Sequence, residues 1–571
     1  MTAMPSRQAP APWRQVTAVA GLALGVLVLL GWALLQGRPV PLPDAGDLRV
    51  PCLSYAPFRR PGHAPSDPAL HIEASQIEAD LRQLREMTGC VRTYGVDHGL
   101  DAVPAIARKL GMRVVLGAWI DGDAARNAAQ LQRALALARD YADVIDLLVI
   151  GNEVLLRGEQ TPAALASLLA RAKHTSSVPI AYADVWAFWL RHADVLRDHV
   201  DVVAAHVLPY WEDTPVALNE AVAHVSAINA RLQAVFAPLP VFIGETGWPA
   251  AGRQRGAAMP GRLQQTRFVR EVLAADARTP LGSEAGAWPR LNLIEGFDQP
   301  WKRRQEGAMG GYWGVFDADG HQRVSLHGPV VADPHWWRIP LAMVVGSGAG
   351  LLWTLRRGIR RPDASGTRLR CRVMAAASTG LAGAAIVALA LLQWQMLVDW
   401  SHRPLDWLLG GSVAVAAGLC ALLATARLGR ILDGDSSAAA RPGMVAALRA
   451  ASAPAMRGLA LAQAALLASV VLMALGLLFD GRYRPLVWPL LAAPASLLLA
   501  LTVLGDRVDR GAGLERALAT VGAMAAVCLI AQEGLANTQA LGQALIWLGL
   551  AAAVCWPQGL PCASGSDGGG R

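Results

Sequence analysis

Two glutamates stand directly after short apolar runs of the sequence. Glu153 follows the run at 147–150 within the segment GNEV, and Glu245 follows the run at 241–243 within the segment GETGWP. Cleavage of a glycosidic bond uses two carboxyl groups: one protonates the leaving oxygen, and the other attacks the anomeric carbon or activates water. A retaining enzyme holds them about 5–5.5 Å apart. These glutamates are therefore the first candidates for a catalytic pair.

Both glutamates belong to a region in which β-type runs alternate with helical patterns. The eight runs lie at 53–55, 90–94, 113–116, 147–150, 180–183, 202–206, 241–243 and 291–294, with helical patterns such as 74–88 and 124–141 between them. The start of one helix is predicted at Thr161, whose side chain can cap the helix. Pro162 has no backbone N–H, and the first turn of a helix does not require one. Eight strand–helix units in about 280 residues predict an α/β fold of the (β/α)8 TIM-barrel type. The alternative is an open, doubly wound sheet, but the segment YAPF after the first run cannot cradle a phosphate.

The active site of a TIM barrel lies where the strands end and the loops begin. The second predicted strand ends in RTYG at 92–95, the sixth in HVLPYW at 206–211, and the eighth in EGFDQPWK at 295–302. The fold would bring these segments to one mouth, together with the glutamates at the ends of strands four and seven.

Four motifs together resemble glycoside hydrolase family 17, the family of β-1,3-glucanases and β-1,3-glucanosyltransferases. They are GNEV at 151–154, GETGWP at 244–249, RTYG at 92–95 and FDQPWK at 297–302. The resemblance covers roughly residues 50–320, and the two glutamate motifs in this order make it specific. It implies a retaining mechanism in which Glu153 is the acid/base and Glu245 is the nucleophile.

The resemblance also implies roles for neighbouring residues. Asn152 is expected to hydrogen-bond the 2-hydroxyl of the reacting sugar, a contact that strengthens in the transition state. Arg92 and Tyr210 are expected to keep Glu245 ionised by charge and hydrogen bond. Glu153 must instead hold a proton at neutral pH, which nearby negative charge would favour.

Two positions depart from the family pattern. Leu208 stands where plant members carry a tyrosine, so the neighbouring Tyr210 is expected to take the aromatic role. Gln299 replaces a glutamate that the family usually has in this loop, whereas Lys302 and Glu306 match. The replacement removes one charge near the reducing-side subsites, which bears on substrate register and on the balance between hydrolysis and transfer.

Aromatic residues cluster near the predicted strand ends, where their faces either stack on glucose rings or pack in the core. The residues expected to bind sugar are Tyr94, Trp211, Trp248, Phe297 and Trp301. The residues expected in the core are Trp186, Trp189 and Trp313.

The cysteines and histidines show no metal-site pattern. The seven cysteines include no CxxC motif, and His98, His174 and His206 have no ligand spacing. His206 is expected to form a hydrogen bond at its strand end. Cys52 and Cys90 begin adjacent strands, where either a disulfide, in an oxidising periplasm, or two buried thiols would fit. No metal or cofactor is expected.

The remainder of the chain is strongly apolar, which gives the whole sequence a mean hydropathy of +0.32. An apolar run at 16–35 is long enough to span a bilayer. We interpret it as an uncleaved transmembrane anchor after a cytoplasmic N-terminus at 1–15, with a cleaved signal peptide as the alternative. Residues 40–330 would then form a periplasmic domain, 339–558 a multi-pass transmembrane region, and 559–571 a disordered cytoplasmic tail.

Seven further spans are predicted in the multi-pass region, near 339–355, 374–398, 408–426, 458–479, 486–505, 517–534 and 543–558. The intervening loops at 356–373, 427–457 and 506–516 carry most of the arginines of the multi-pass region. An excess of basic residues marks the cytoplasmic side of a membrane. The net charge of +8 is therefore attributed to membrane orientation, and no nucleic-acid partner is expected.

Together these features predict an enzyme of the bacterial inner membrane that cleaves and transfers β-1,3-glucan chains, elongating them or introducing β-1,6 branches. A plain endo-β-1,3-glucanase and a non-catalytic glucan-binding or export accessory protein are the alternatives. The expected partners are a β-glucan, the lipid bilayer and a glucan-synthesis machinery in the membrane.

Overall fold

A computed structural model describes residues 11–46, 48–282, 288–358, 366–401, 404–433, 445–479, 481–486, 488–506 and 513–555. The chain divides into two compact units, of which one is Arg38–Asp333 and the other combines Met1–Gly37 with Pro334–Arg571. Most of the predicted cytoplasmic N-terminus and all of the predicted tail at 559–571 lie outside the described residues.

In its described part, the unit Arg38–Asp333 is built on a closed barrel of eight parallel strands. In chain order they are β1 (Leu53–Ser54), β2 (Cys90–Arg92), β3 (Arg113–Ala118), β4 (Ile145–Asn152), β5 (Ile180–Val185), β6 (Val202–His206), β7 (Val241–Thr246) and β8 (Leu291–Leu293). Each strand pairs with the next, and β8 closes the barrel against β1. The predicted (β/α)8 fold is confirmed, and each predicted run falls on its strand.

Helices follow the strands along the chain, and those between successive strands cover the outside of the barrel, whereas the last one, Arg303–Glu306, lies in the segment after β8. Their bounds are Ala74–Leu84, Val103–Leu110, Ala124–Asp140, Pro162–Thr175, Trp186–Arg191, Ala193–Leu196, Leu218–Phe236, Arg262–Arg278 and Arg303–Glu306. The predicted cap is confirmed, because Thr161 Oγ1 accepts a hydrogen bond from the Ala164 N–H at 3.2 Å. The first helix ends four residues before the predicted position 88, where the Thr88 hydroxyl instead donates to the Val50 carbonyl at 2.7 Å.

Small and branched apolar side chains fill a buried layer of the barrel, which makes it a packed core and not a pore. This layer consists of Cys52, Cys90, Val115, Leu147, Val149, Ala181, Ala183, Val202, Ala204 and Phe242. The strand interiors are buried on both faces, as expected for parallel strands that are covered by helices.

A disulfide joins Cys52 to Cys90 within this layer. Leu53 pairs with Val91 in the parallel register, so the preceding residues of the two strands are also neighbours, and the two cysteine Cα atoms lie 4.5 Å apart. Both cysteines are buried. Of the two alternatives drawn from the sequence, the structure contains the disulfide.

Replacing both cysteines by alanine is expected to lower the free energy of unfolding of the barrel by about 2–4 kcal/mol. The disulfide links positions 38 residues apart, and its loss frees that loop in the unfolded chain. Thermal unfolding of the full chain in detergent, with and without dithiothreitol, measures the effect. The reductant should destabilise the wild type and leave the double variant unchanged, whereas equal stability of all samples would contradict the assignment.

The second unit is helical throughout most of its described part. Its helices are Pro12–Gln36, Arg338–Gly358, Gly366–Trp400, Pro404–Leu432, Val445–Phe479, Trp488–Val503, Leu514–Glu533 and Thr538–Cys555. Among the residues searched, seven of these helices contain a stretch that is long and apolar enough to cross a membrane. The span predicted near 486–505 corresponds to the remaining, shorter helix of 16 residues, about 24 Å long. Parts of the arginine-rich loops, at 359–365, 434–444 and 507–512, lie outside the described residues.

Close backbone approach and an ion pair between Arg427 and Asp506 contribute to the packing of this unit. A Cβ atom on Gly346 would lie 2.1 Å from the Gly383 carbonyl oxygen, so no larger residue fits between these two helices. Arg427 donates two hydrogen bonds to the carboxylate of Asp506, at 2.7 and 2.8 Å. Each of these two largely buried charges thus has its countercharge, and an unpaired charge in that position would be costly.

Candidate active site

Polar side chains from several strands converge at the carboxyl-terminal mouth of the barrel. They are Ser54 of β1, Arg92 of β2, Asn152 of β4, His206 of β6, Glu245 of β7 and Asn292 of β8, together with Tyr94 and Glu153 in the segments that follow β2 and β4. The mouth therefore combines both candidate carboxyls with a buried network of hydrogen bonds.

Glu245 lies in a pocket that favours its charged form. Its Oε1 accepts hydrogen bonds from Arg92 Nη1 at 2.9 Å and from the Tyr94 hydroxyl at 2.8 Å. Burial of the side chain acts to raise the pKa of this carboxyl. Electrostatic interactions with His206, Arg92 and Lys302 outweigh burial and hold the pKa below its ordinary value. The carboxylate is therefore ionised at neutral pH, as a nucleophile requires.

Arg92 and Tyr94 connect this carboxylate to the neighbouring strands. Arg92 is 1% exposed, and its Nη2 donates to Asn152 Oδ1 at 2.6 Å. The Tyr94 hydroxyl lies 2.8 Å from Ser54 Oγ, which also accepts a hydrogen bond from Asn292 Nδ2 at 2.8 Å. Because these partners come from β1, β2, β4 and β8, the network fixes the carboxylate of β7 from several sides.

Glu153 has a more open environment and an unusual backbone. Its side chain is 25% exposed, and its Oε1 lies 3.0 Å from Nδ1 of His206. Its φ is 54°, in the left-handed region that residues other than glycine rarely adopt. The Glu153 N–H donates to the Ala183 carbonyl at 2.8 Å, which holds this turn against β5. Strained backbone of this kind clusters at functional sites, where the surrounding structure enforces it.

Glu153 and Glu245 approach each other with His206 between them. One oxygen of each carboxyl and one nitrogen of the imidazole all lie within 4.8 Å of one another. Oxygens of the two carboxyls thus approach to 4.8 Å or less, so both groups can reach one glycosidic bond.

The same three side chains are of types that can bind a divalent metal. The charges of Arg92 and Lys302 beside Glu245 oppose a bound cation, however, because both act on this carboxylate. The Oε1 atom of Glu245 also already accepts two hydrogen bonds. The arrangement therefore suits proton transfer and nucleophilic attack better than metal ligation.

The loop after β8 places further charges beside the pair. Lys302 Nζ donates to Glu295 Oε2 at 2.9 Å, and burial raises the pKa of Glu295 to about 7 against the opposing effect of this lysine. Burial also raises the pKa of Glu306 to about 7, where Lys302 again opposes the shift and the charges of Glu153 and Glu245 add to it. Burial alone would lower the pKa of Lys302, but the surrounding carboxylates raise it. Lys302 therefore stays charged.

Tyr210 does not take the role expected for it. The residue is fully buried, and its hydroxyl donates to the Arg253 carbonyl. The hydroxyl that contacts Glu245 belongs instead to Tyr94. The expectation is wrong because Tyr210 packs its ring against Trp211 and other indoles beneath the loop surface.

Gln299 is also fully buried. Its Nε2 donates to the Ala56 carbonyl at 2.7 Å, and its Oε1 accepts from Trp301 Nε1 at 3.0 Å. The amide thus shapes the loop after β8, and we infer that its influence on the cleft acts through the position of Trp301.

The aromatic side chains divide into buried and accessible ones. Trp248 and Phe297 are 0% and 1% exposed, so the expectation that they face a sugar is wrong in this structure. Trp248 packs in the core and donates from Nε1 to the Met259 carbonyl at 2.9 Å. Trp211 and Trp301 are partly exposed, as sugar binding requires. Trp119, directly after β3, is 37% exposed and was not predicted.

Two ionisable residues of the mouth have no catalytic role predicted from the sequence. His206 was expected only as a hydrogen-bonding residue, and Glu295 was not singled out. Both stand at strand ends, His206 as the last residue of β6 and Glu295 two residues after β8. Their positions at strand ends, the same signal that marks Glu153 and Glu245, can be read from the sequence.

The family model described as "BtgE/BtgC glycoside hydrolase domain" matches residues 52–314, which contain the whole barrel. The chain contains a glycoside hydrolase domain. It is similar to the "Probable beta-glucosidase btgE" of Aspergillus fumigatus, at 23% identity over 271 residues, 46% of this chain and 45% of that protein. It is also similar to the protein of the same name from Emericella nidulans, at 30% identity over 189 residues, 32% of this chain and 34% of that protein. The chain thus spans less than half the length of these curated relatives.

Two solved structures are also similar to the glycoside hydrolase domain. The glycoside hydrolase family 17 β-1,3-glucanosyltransferase from Rhizomucor miehei is 21% identical, with a TM-score of 0.42, over 49% of this chain and 98% of that one. An endo-laminarinase from Formosa is 18% identical, with a TM-score of 0.40, over 48% of this chain and 85% of that one.

Proposed function

We propose that this protein is a retaining glycoside hydrolase and transglycosylase that acts on β-1,3-glucan at the outer face of a bacterial inner membrane. The observation that carries the proposal is the unequal pair Glu153 and Glu245, whose carboxyl oxygens lie within 4.8 Å. Glu245 is buried and held ionised, while Glu153 is more exposed. Two carboxyls in different environments can serve as nucleophile and as acid/base.

In the first step of this mechanism, the Glu245 carboxylate attacks the anomeric carbon while Glu153 gives its proton to the leaving oxygen. The glycosidic C–O bond breaks, and an ester forms between the sugar and Glu245. Asn152 donates from its amide to the 2-hydroxyl, since its carbonyl oxygen is bound by Arg92. In the second step, Glu153 removes the proton from an incoming hydroxyl, which attacks the same carbon and releases Glu245. Two inversions give net retention.

The incoming hydroxyl decides between hydrolysis and transfer. Water gives a shorter glucan, whereas a sugar hydroxyl elongates the chain or makes a β-1,6 branch. We favour transfer because a domain tethered to a membrane stays close to glucan chains that a synthesis machinery would export there.

Incubation of the full chain, in detergent, with laminari-oligosaccharides of one length tests this proposal. Products longer than the donor indicate transfer, and linkage analysis of these products distinguishes β-1,3 elongation from β-1,6 branching. Only shorter products would indicate a plain endo-β-1,3-glucanase. If no product forms, and Glu245→Gln behaves like the wild type, the enzymatic proposal is overturned in favour of a glucan-binding accessory.

The proposed location rests on two observations. Helices long enough to cross a membrane, Pro12–Gln36 and Arg338–Gly358, flank the barrel in sequence. The barrel contains a disulfide, which persists in oxidising compartments such as the periplasm. A Val235→Cys variant offers a thiol at a 40% exposed position of the barrel. A membrane-impermeant thiol reagent should label it in intact spheroplasts beyond the wild-type background, and labelling only after lysis would place the barrel inside.

Two tryptophans at the mouth are expected to respond differently to truncation. Trp211→Ala removes a partly exposed ring on which a sugar can stack and should raise KM for laminari-oligosaccharides about tenfold, which corresponds to about 1.4 kcal/mol of lost binding. Trp248→Ala removes a fully buried ring and should lower the free energy of unfolding by about 3–5 kcal/mol. Steady-state kinetics and thermal unfolding on both variants provide the comparison. An unchanged KM for Trp211→Ala would remove this residue from the binding site.

A further inference from the structure

We propose that His206 is a positioning residue that bridges the two carboxyls and keeps the proton on Glu153 while Glu245 is charged. The inference rests on the proposed function, since it concerns which carboxyl of the catalytic pair, Glu153 or Glu245, carries the proton. His206 would thereby couple the charge on the nucleophile Glu245 to the protonation of the acid/base Glu153.

The imidazole of His206 is held in one place and faces both carboxyls. Its side chain is 0% exposed, Nδ1 lies 3.0 Å from Glu153 Oε1, and Nε2 lies 3.6 Å from Glu245 Oε1. Gly244 makes room for the ring, because a Cβ atom there would lie 3.2 Å from His206 Cδ2. Within the described part of the chain, Nε2 has no hydrogen-bond partner. This nitrogen is thus buried and directed at a charge.

The two contacts are linked through the tautomer of the ring. A neutral imidazole has one N–H, so one nitrogen donates and the other accepts. The charge on Glu245 favours the hydrogen on Nε2, because an N–H dipole that points toward a carboxylate is attracted to it. Nδ1 is then an acceptor, and Glu153 completes this hydrogen bond only when it carries a proton. Charge on Glu245 therefore favours the acid form of Glu153.

The preferred position of the hydrogen on the imidazole changes from Nε2 to Nδ1 when the glycosyl-enzyme forms. The ester at Glu245 carries no charge, and Glu153 has given its proton to the leaving sugar. Departure of the leaving sugar admits water to the mouth, where one water molecule accepts the proton from Nε2 and another gives a proton to Nδ1, so the charge of the ring does not change. The Nδ1–H donates to the Glu153 carboxylate, which is the form that must act as a base in the second step.

Other charged groups surround this triad without bridging it. Asp184 of β5 interacts electrostatically with both His206 and Glu153, and Arg92 and Lys302 act on Glu245. Tyr94 bonds Glu245, and Glu306 adds negative charge near both carboxyls. Among the hydrogen bonds and ion pairs of the described residues, those of His206 alone reach both Glu153 and Glu245.

Three substitutions of His206 separate the two contacts. The side-chain amide of His206→Asn falls near the position of Nδ1 and retains a partner for Glu153. The longer His206→Gln places its amide near Nε2 and retains the contact with Glu245. His206→Phe fills the same space and retains neither. The full chain is assayed in detergent across pH on laminari-oligosaccharides and on dinitrophenyl β-laminaribioside, whose leaving group departs without a proton.

Removal of the His206 side chain should shift the basic limb of the pH–rate profile for glucan cleavage to lower pH. Glu153 then loses its proton earlier, so His206→Phe and His206→Gln should lose at least tenfold more activity at alkaline pH than at acidic pH. His206→Asn should recover part of this loss. The initial burst of dinitrophenolate, which reports the first step alone, should keep the pH dependence of the wild type in every variant, because this leaving group needs no proton. A measurable burst also shows that the variants fold.

Two outcomes separate this inference from the proposed function. A wild type that is inactive on both substrates overturns the proposed function. An active wild type whose variants lose the same factor at every pH and on both substrates overturns the bridging role alone, because a purely structural histidine would give that pattern.

Discussion

Replacing Glu245 by glutamine is expected to reduce the rate of glucan cleavage about 10⁴-fold or more. The amide cannot attack the anomeric carbon, so the glycosyl-enzyme does not form. Its oxygen can still accept hydrogen bonds from Arg92 and Tyr94, which contact the carboxylate in the wild type. The loss should therefore appear in kcat, with KM for laminari-oligosaccharides changed by a small factor.

Azide provides a stereochemical control on this prediction. In Glu245→Ala the removed carboxyl leaves room for azide on the same face of the sugar, so azide should restore cleavage and give the α-glycosyl azide. A β-glycosyl azide, or full activity of Glu245→Gln without azide, would exclude Glu245 as the nucleophile.

Folding of these variants must be measured separately. Arg92 is 1% exposed and loses its countercharge, and breaking such a buried pair can cost about 3–5 kcal/mol. Arg92 keeps its hydrogen bonds to Gly244 and Asn152, which should limit the loss. Thermal unfolding should thus show a destabilised but folded protein.

The barrel and the positions of its two carboxyls could be predicted because both depend on local patterns. Parallel strands covered by helices appear as short apolar runs, and strand order then places Glu153 and Glu245 at one mouth. The disulfide was predictable only as an alternative. The sequence places Cys52 and Cys90 at adjacent strand starts, but only the register of Leu53 opposite Val91 brings the two sulfurs together.

Arg92 was expected beside Glu245 and contacts it, but the hydroxyl that bonds this carboxylate could not be predicted, because it depends on which side of a loop faces the cleft. Tyr94 and Tyr210 both follow strands that end in polar motifs, and the sequence favoured Tyr210. The structure buries Tyr210 among indoles and brings Tyr94 to 2.8 Å from the carboxylate. The exposure of aromatic rings was equally hard to predict. Trp248 and Trp211 both lie in motifs that follow a strand, but Trp248 is fully buried and Trp211 is partly exposed.

In the helical unit, the ends of helices are likewise harder to predict than their existence. Hydropathy predicts that a helix exists, but the end of a helix depends on local turns. The helix Trp488–Val503 contains Pro494 and ends at a turn through Gly505, whose φ is 76°. It is consequently shorter than the apolar stretch that predicted it, because a left-handed glycine terminates a helix where composition alone would continue it.

Replacing Glu153 by alanine is expected to slow the two steps of the reaction unequally. On laminari-oligosaccharides the leaving sugar needs a proton, so kcat should fall about 10²–10⁴-fold. On dinitrophenyl β-laminaribioside the first step needs no acid, but the second lacks its base. A burst of dinitrophenolate followed by slow turnover should appear, together with a lowered KM. Since Glu153 is 25% exposed, its truncation opens no buried cavity.

Azide then distinguishes the acid/base from the nucleophile. It needs no deprotonation, so it should attack the glycosyl-enzyme of Glu153→Ala, restore turnover of the aryl substrate and give the β-glycosyl azide. Glu245→Ala should give the α product, because in that variant azide reacts once, from the opposite face. Opposite products from the two variants would assign both roles independently of any resemblance. Equal losses of Glu153→Ala on both substrates, with no effect of azide, would show that Glu153 does not act in proton transfer.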